Sequence, residues 1–152
     1  MQKIIFICHG NICRSPMAEF IFKNMVAKRG LSDRFEVASA ATSTDERGRD
    51  IYPPAQKVLT ENGIPFESRH ARQITKADGE HYDLLICMDH NNLKNARRIL
   101  PEEAHHKLRL FMEFAGESRD VADPWYTRNF QKAFDDIFLG CQALLSHLTK
   151  EV

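Results

Sequence analysis

The segment Cys8-His9-Gly10-Asn11-Ile12-Cys13-Arg14-Ser15-Pro16 sets a thiol, a guanidinium, a hydroxyl and a helix-starting proline side by side. A thiolate is a strong nucleophile, and a nearby cation or helix N-terminus favours that ionised form. Cys8 stands to gain both: Arg14 by loop closure, and the positive end of a helix beginning near Pro16. Arg14 stays charged and presents a planar fork that matches two oxygens of a phosphate. Gly10 permits a backbone that turns successive N–H groups inward as an anion nest, and Asn11 can brace such a loop and tolerates a left-handed conformation. Ser15 can donate a hydrogen bond to the Cys8 sulfur, while His9, Ile12 and Cys13 complete the ligand-facing loop. The chemistry that this spacing supports is attack of sulfur on a tetrahedral oxyanion. A lone Cys with an Arg at this distance also describes a buried thiol near a surface charge; strand, Gly-Asn turn, Arg-Ser and proline together are more specific. The Gly-Lys-Ser/Thr ending of a nucleotide-binding loop is absent. Cys8, His9 and Cys13 are metal-ligand types, but no second Cys or His pair completes a usual zinc site, so neither metal nor cofactor is expected.

Positioning these groups requires a strand, a tight loop and a helix N-terminus. Ile4, Ile5, Phe6 and Ile7 form a continuous apolar run long enough for a buried strand, and Phe20, Ile21, Met25 and Val26 follow at helical spacing. Further strands are expected at 34–39, 83–87 and 107–111 beside the first at 3–8, and helices at 16–29, 53–62, 75–80, 90–98 and 128–148. Apolar runs alternating with amphipathic helices predict an α/β fold of three layers, a central four-stranded parallel sheet with helices on both faces, whose ligand site lies at the carboxyl ends of the strands. Phe130, Phe134, Ile137, Phe138, Cys141, Leu144 and Leu145 make a helical stripe that belongs to the core, and His105-His106 read as a solvated loop.

A chain of 152 residues suits one domain spanning 1–152. Lys plus Arg number 21 and Asp plus Glu 21, a balance that argues against general nucleic-acid or membrane-surface binding. No apolar run approaches membrane-spanning length, the N-terminus lacks a signal-peptide pattern, and the cysteines show no disulfide-framework spacing; a reducing cytoplasm is the expected compartment.

Cys8-x5-Arg14-Ser15-Pro16 near the N-terminus resembles the signature of the low-molecular-weight protein tyrosine phosphatases, and the resemblance covers nearly the whole chain. Ser39-Ala40-Ala41-Thr42 resembles the exit of that family's second strand, His70-x-Arg72-Gln73-Ile74 the segment before a helix, and Leu84 to Asp89 the apolar strand ending in Met-Asp. Asp123-Pro124-Trp125-Tyr126 resembles the family's Asp-Pro-aromatic-aromatic loop. The resemblance implies a phosphotyrosine phosphatase I-like fold, phosphotyrosine-containing protein substrates and a cysteinyl-phosphate intermediate. It implies Cys8 as nucleophile, Arg14 as phosphate clamp and Asp123 as general acid. It further implies Trp125 and Tyr126 at the substrate cleft, Asn11, Ser15 and Ser39 as supports of the loop, and Cys13 as a redox partner able to close a disulfide with Cys8. From the residues alone, Asp123-Pro124 reads equally as a turn before the last helix, Cys13 as a packing thiol, and Tyr126 as a cleft residue, a packing residue or a target for a tyrosine kinase.

The chain departs from the family pattern in two loops. Thr44-Asp45-Glu46-Arg47 lacks the aromatic that often forms one wall of the substrate slot, leaving Trp125 to hold a phenyl ring from one side, or Tyr52 to stand in as the second wall. Asp45 and Glu46 make that rim acidic, which disfavours acidic peptides, although Arg47 and Arg49 offset part of it. Ile51-Tyr52-Pro53-Pro54-Ala55 also lacks the family's acidic residue there. Arsenate reductases share this fold but need extra cysteines to relay a disulfide outward, and Cys87 and Cys141 are not so spaced. A catalytically silent phospho-ligand module is the non-enzymatic alternative.

Overall fold

A computed structural model describes residues 1–149; the expected domain end at 152 lies outside them. The chain runs β1 (Gln2–Cys8), α1 (Arg14–Lys28), β2 (Phe35–Ala41), α2 (Pro53–Glu61), α3 (Lys76–His81), β3 (Leu84–Cys87), α4 (His90–Ile99), β4 (Leu108–Leu110), α5 (Pro124–Thr127) and α6 (Phe130–Thr149). The sheet has the order β2-β1-β3-β4, and every pair is parallel. β1 is flanked by strands on both edges and covered on both faces, which is why Ile4 to Ile7 form an unbroken apolar run rather than an alternating one.

Alternation along β1 divides the core. Ile4, Phe6 and Cys8 point toward α1, α2 and α6, whose Met17, Ile21, Leu59, Ile137 and Leu144 fill that layer. Ile5 and Ile7 point the other way, toward Ala96 of α4, Tyr82 and Leu100. Phe6 meets Phe22 and Phe111 edge-on at ring separations of 6.0 and 5.8 Å. α6 can lie this close because Gly140 faces Phe111: a Cβ there would stand 2.5 Å from the ring Cζ.

The architecture is the expected three-layer α/β arrangement, with differences at element ends. α1 begins at Arg14, not at 16, so Pro16 sits inside its first turn, where a missing N–H leaves no bond unmade. β2 runs on to Ala41, which pairs with Cys8 of β1 and also bridges Gln73 outside the sheet. β4 is shorter than 107–111: Phe111 already opens a 3-10 turn to Ala115. The helix expected over 128–148 is α6, which starts at Phe130; the short α5 before it was not expected, and Arg128, whose φ of +60° no helix accommodates, ends α5. His105 and His106 lie on a 3-10 turn (Glu102–Lys107), and the His105 ring is half-buried, 3.1 Å from the Leu100 carbonyl, rather than on a solvated loop. No helix of the described residues is long and apolar enough to cross a membrane.

Candidate active site

Cys8 ends β1 and Cys13 stands at the N-cap of α1, so the segment between them forms the expected loop at the carboxyl edge of the sheet. The loop's carbonyls are taken from outside: Thr42 N–H donates to the Cys8 carbonyl at 3.0 Å, Ser43 N–H to that of His9 at 3.1 Å, and Tyr52 N–H to that of Ile12 at 2.9 Å. In a planar trans peptide the N–H points opposite to its carbonyl, so the following N–H groups are turned away from those partners and toward the cleft. Asn11 N–H approaches the Cys8 sulfur at 3.3 Å. The left-handed residue of the loop is Asn11, with φ +60°, and not Gly10. Gly10 allows close approach instead: a Cβ there would crowd the Glu46 side chain, meeting its Cγ at 3.2 Å.

Behind the loop, Asn11 has every polar atom engaged. Its Nδ2 donates to Ser15 Oγ at 2.8 Å and to Ser39 Oγ at 3.0 Å, while its Oδ1 accepts from Arg72 N–H at 3.3 Å and from the Arg69 guanidinium. Ser39 Oγ in turn donates to Glu19 Oε1 at 2.6 Å. Ser15 Oγ accepts a hydrogen bond from Asn11, which leaves its hydroxyl hydrogen for the Cys8 sulfur, 3.0 Å away, with the Ala40 carbonyl more distant at 3.5 Å. Asn11, Ser15 and Ser39 are thus buried beneath the loop and do not line the cleft. Burial pulls the Arg69 guanidinium down from its usual pKa, with Glu19, Asp50 and Cys8 opposing that shift.

Arg14 is 2 % exposed and is held by partners distant in sequence. Its Nη1 donates to Asp89 Oδ2 and to the Val121 carbonyl, both at 2.8 Å, and Nη2 reaches Asp123 Oδ2 at 3.4 Å. Both Nη1 hydrogens are therefore used, which leaves the Nε–Nη2 edge for a bidentate anion. Burial alone would lower its pKa, but Cys8, Asp123 and Asp89 outweigh that and raise it, so the guanidinium stays charged. Asp89 also caps α4, its Oδ1 accepting Asn92 N–H at 2.7 Å.

The cleft floor is formed by Cys8, His9, Gly10, Ile12, Cys13 and Arg14, one rim by Asp45 and Glu46, and the other by Asp123, Trp125 and Tyr126. Asp123 is the N-cap of α5, its Oδ1 accepting Trp125 N–H at 3.0 Å, and this directs Oδ2 toward Arg14. Cys13 is buried, and burial, together with the charges of Cys8 and Asp123, pushes its thiol well up from the usual range. The apolar cover over Asp123 is partial: Trp125 is 41 % and Tyr126 80 % exposed. Tyr52 packs against Trp125 at a ring separation of 4.9 Å and is not among the cleft-lining residues, so it buttresses the indole rather than forming an opposite wall. The acidic rim is partly neutralised, with His9 Nε2 2.8 Å from Asp45 Oδ2 and Arg49 Nε 3.2 Å from Glu46 Oε2.

Glu19, Arg69 and Asp89 have no expected role in the sequence reading. Asp89 alone carried a signal, as an acidic residue between an apolar strand and a helix, the position of an N-cap.

Comparison with known proteins bears on the family of the chain. The family model "Low molecular weight phosphotyrosine protein phosphatase" matches residues 3–152. Low molecular weight protein-tyrosine-phosphatase YfkJ of Bacillus subtilis is 35 % identical over 99 % of this chain and 98 % of its own, and its crystal structure superposes with a TM-score of 0.95 over 99 % and 96 % of the two chains. A low molecular weight phosphotyrosine protein phosphatase of Schizosaccharomyces pombe is 41 % identical over 82 % of this chain and 81 % of its own. The low molecular weight protein tyrosine phosphatase of Streptococcus pyogenes matches in structure with a TM-score of 0.86 at 38 % identity, over 98 % and 94 % of the two chains. With its loop, its fold and these relatives in agreement along nearly its full length, the chain belongs to the low molecular weight phosphotyrosine protein phosphatase family.

Proposed function

We propose that this protein hydrolyses phosphotyrosine and related aryl phosphate monoesters through a cysteinyl-phosphate formed on Cys8. The observation that carries the reading is the Cys8 sulfur on the cleft floor, within reach of the Ser15 hydroxyl and the Asn11 amide, next to a buried Arg14 whose Nε–Nη2 edge carries only the long contact to Asp123. The phosphate dianion seats on the loop amides and the Nε–Nη2 edge of Arg14, taking over the long contact to Asp123. Sulfur attacks phosphorus in line, and the released Asp123 donates a proton to the departing phenolate. The same carboxylate then takes a proton from the water that cleaves the sulfur–phosphorus bond. His9, Gly10, Ile12 and Cys13 contact the phosphate or the ring edge, and Trp125 and Tyr126 flank the aryl group. All four cysteines are buried, which counts against a disulfide relay to the surface of the arsenate-reductase kind.

Three further readings go with this one. Residues 1–152 act as one domain in the cytoplasm, in keeping with unpaired thiols at all four cysteines. The partners are phosphotyrosine-bearing proteins, and Tyr126, on an exposed rim, is open to a tyrosine kinase. Cys13 protects Cys8: a Cys8 sulfenic acid condenses with the Cys13 thiol, forming the disulfide and releasing water. The test is turnover of p-nitrophenyl phosphate and of a phosphotyrosine peptide by the wild type and by Cys8→Ser. The variant should release no phosphate yet still bind vanadate; residual turnover at a tenth or more of wild type, by the reaction energetics about 1.4 kcal/mol, would refute Cys8 as nucleophile.

A further inference from the structure

Arg128 bends the chain between α5 and α6 with a left-handed backbone, an uncommon state for a residue that carries a Cβ and one that points to a role beyond the turn itself. Its guanidinium carbon lies 5.4 Å from the ring centre of Tyr52, 5.4 Å from that of Phe130 and 6.0 Å from that of Trp125. Nη2 donates to the Tyr52 hydroxyl at 3.0 Å and Nη1 to the Trp125 carbonyl at 3.4 Å. The rings support one another, Tyr52 lying 4.9 Å from Trp125 and 5.9 Å from Phe130, and the Tyr52 backbone is bonded to the Ile12 carbonyl of the catalytic loop. Arg128 is thus an exposed cation fixed in register with the cleft, its remaining N–H donors turned to solvent. Among the described residues no carboxylate pairs with it, whereas Arg14, Arg49, Arg72 and Arg119 each have one.

The surroundings give this cation a direction. Beside Trp125, Arg128 and Lys57 line a shallow groove with Pro54 and Phe130, in which Glu61 is the one carboxylate. The opposite rim carries Asp45 and Glu46. A peptide crossing the cleft therefore meets carboxylates that already have partners on one side, Glu46 with Arg49 and Asp45 with His9, and on the other a cation with no carboxylate partner among the described residues.

Resting on the phosphotyrosine reading above, we infer that Arg128 is a specificity-determining residue that selects substrates carrying an acidic side chain on the α6 side of the phosphotyrosine. An extended peptide rises about 3.3 Å per residue. An acidic side chain within a few positions of the phosphotyrosine is therefore the one within reach of Arg128 beside Trp125. The aromatic support holds the fork in place before the substrate arrives, so little side-chain freedom is lost on binding.

The experiment compares three phosphotyrosine peptides: neutral, with Glu two residues before the phosphotyrosine, and with Glu two residues after it. In the wild type one acidic peptide should exceed the neutral one in kcat/KM by about fivefold, the scale of a well-held exposed ion pair. That ratio should fall to about one in Arg128→Gln, drop below one in Arg128→Glu, and fade in the wild type at about 0.5 M NaCl. The ratio is taken within each protein, so a change in basal turnover does not affect it, and the salt arm needs no variant. No acidic preference in the wild type, or a preference that survives Arg128→Gln, overturns the inference while leaving the phosphatase reading intact. Failure to hydrolyse even the neutral peptide overturns both.

Discussion

Removing Asp89 tests whether the buried guanidinium is oriented from a distance. Its Oδ2 accepts from Arg14 Nη1 at 2.8 Å while its Oδ1 caps α4, and the two side chains are 17 % and 2 % exposed. Asp89→Ala deletes an N-cap, about 1 kcal/mol, and one charged hydrogen bond, about 2 kcal/mol, so a loss near 3 kcal/mol is expected. Val121 still accepts from Nη1, which keeps the cost at the lower end of that for a broken buried pair, about 3–5 kcal/mol. Asp89→Asn retains an oxygen for the cap and should cost about 2 kcal/mol at most. The effect on chemistry should exceed the effect on folding, because an unpinned fork no longer presents its Nε–Nη2 edge: a fall of about 10²-fold in kcat/KM on an aryl phosphate is expected for Asp89→Ala. Urea denaturation at neutral pH gives the first quantity and steady-state kinetics with inorganic phosphate as inhibitor the second. Full activity and unchanged phosphate affinity in a destabilised Asp89→Ala would show that Asp89 serves only as a helix cap, and the positioning argument would fail.

Other expectations follow from single features of the structure. Asp123→Ala should slow esters with poor leaving groups far more than activated ones, by about 10²-fold or more; equal slowing would exclude proton donation. Gly140→Ala drives a Cβ into the Phe111 ring and should lower stability by about 1–3 kcal/mol in thermal melts without changing the fold; an unchanged melting temperature would contradict the packing described. Burial would raise the carboxyls of Asp78 and Asp136, but hydrogen bonds and charge from Arg72 and Thr75 in one case, and from Arg119 and Lys132 in the other, hold both below the ordinary value. A group whose folded pKa is depressed adds stability that is complete above its unfolded pKa and vanishes as pH falls through the folded one. Urea midpoints should therefore be flat across neutral pH and drop below about pH 4, and less steeply in Asp136→Asn.

The strand-loop-helix unit was legible because its determinants are local: four consecutive apolar residues, a Gly-Asn turn and a proline compatible with a first helical turn. The layer arrangement followed from the same alternation of apolar runs and amphipathic segments. What escaped the sequence depends on contacts between remote residues. Arg14 and Asp89 are 75 positions apart, and Asn11 and Arg69 58, so no spacing rule links them. The start expected at 128 falls two residues early because a left-handed Arg128 leaves no compositional mark, unlike a glycine or proline. The loop's left-handed position went to Asn11 for a related reason: an amide saturated by four partners holds a conformation that Gly10 could have adopted but does not need. Tyr52 does not supply the second wall that its place in the sequence suggests; only its packing shows that it props Trp125 from behind.

The most direct test is to quench the enzyme in acid during turnover of an aryl phosphate, using Asp123→Ala to slow breakdown of the intermediate, and to map the phosphoryl group by peptide mass spectrometry. The phosphoryl mass should be found on Cys8, with the neighbouring His9 and Cys13 unmodified. A phosphoryl group on His9, or turnover without any covalent intermediate, would contradict the assignment of the reacting sulfur.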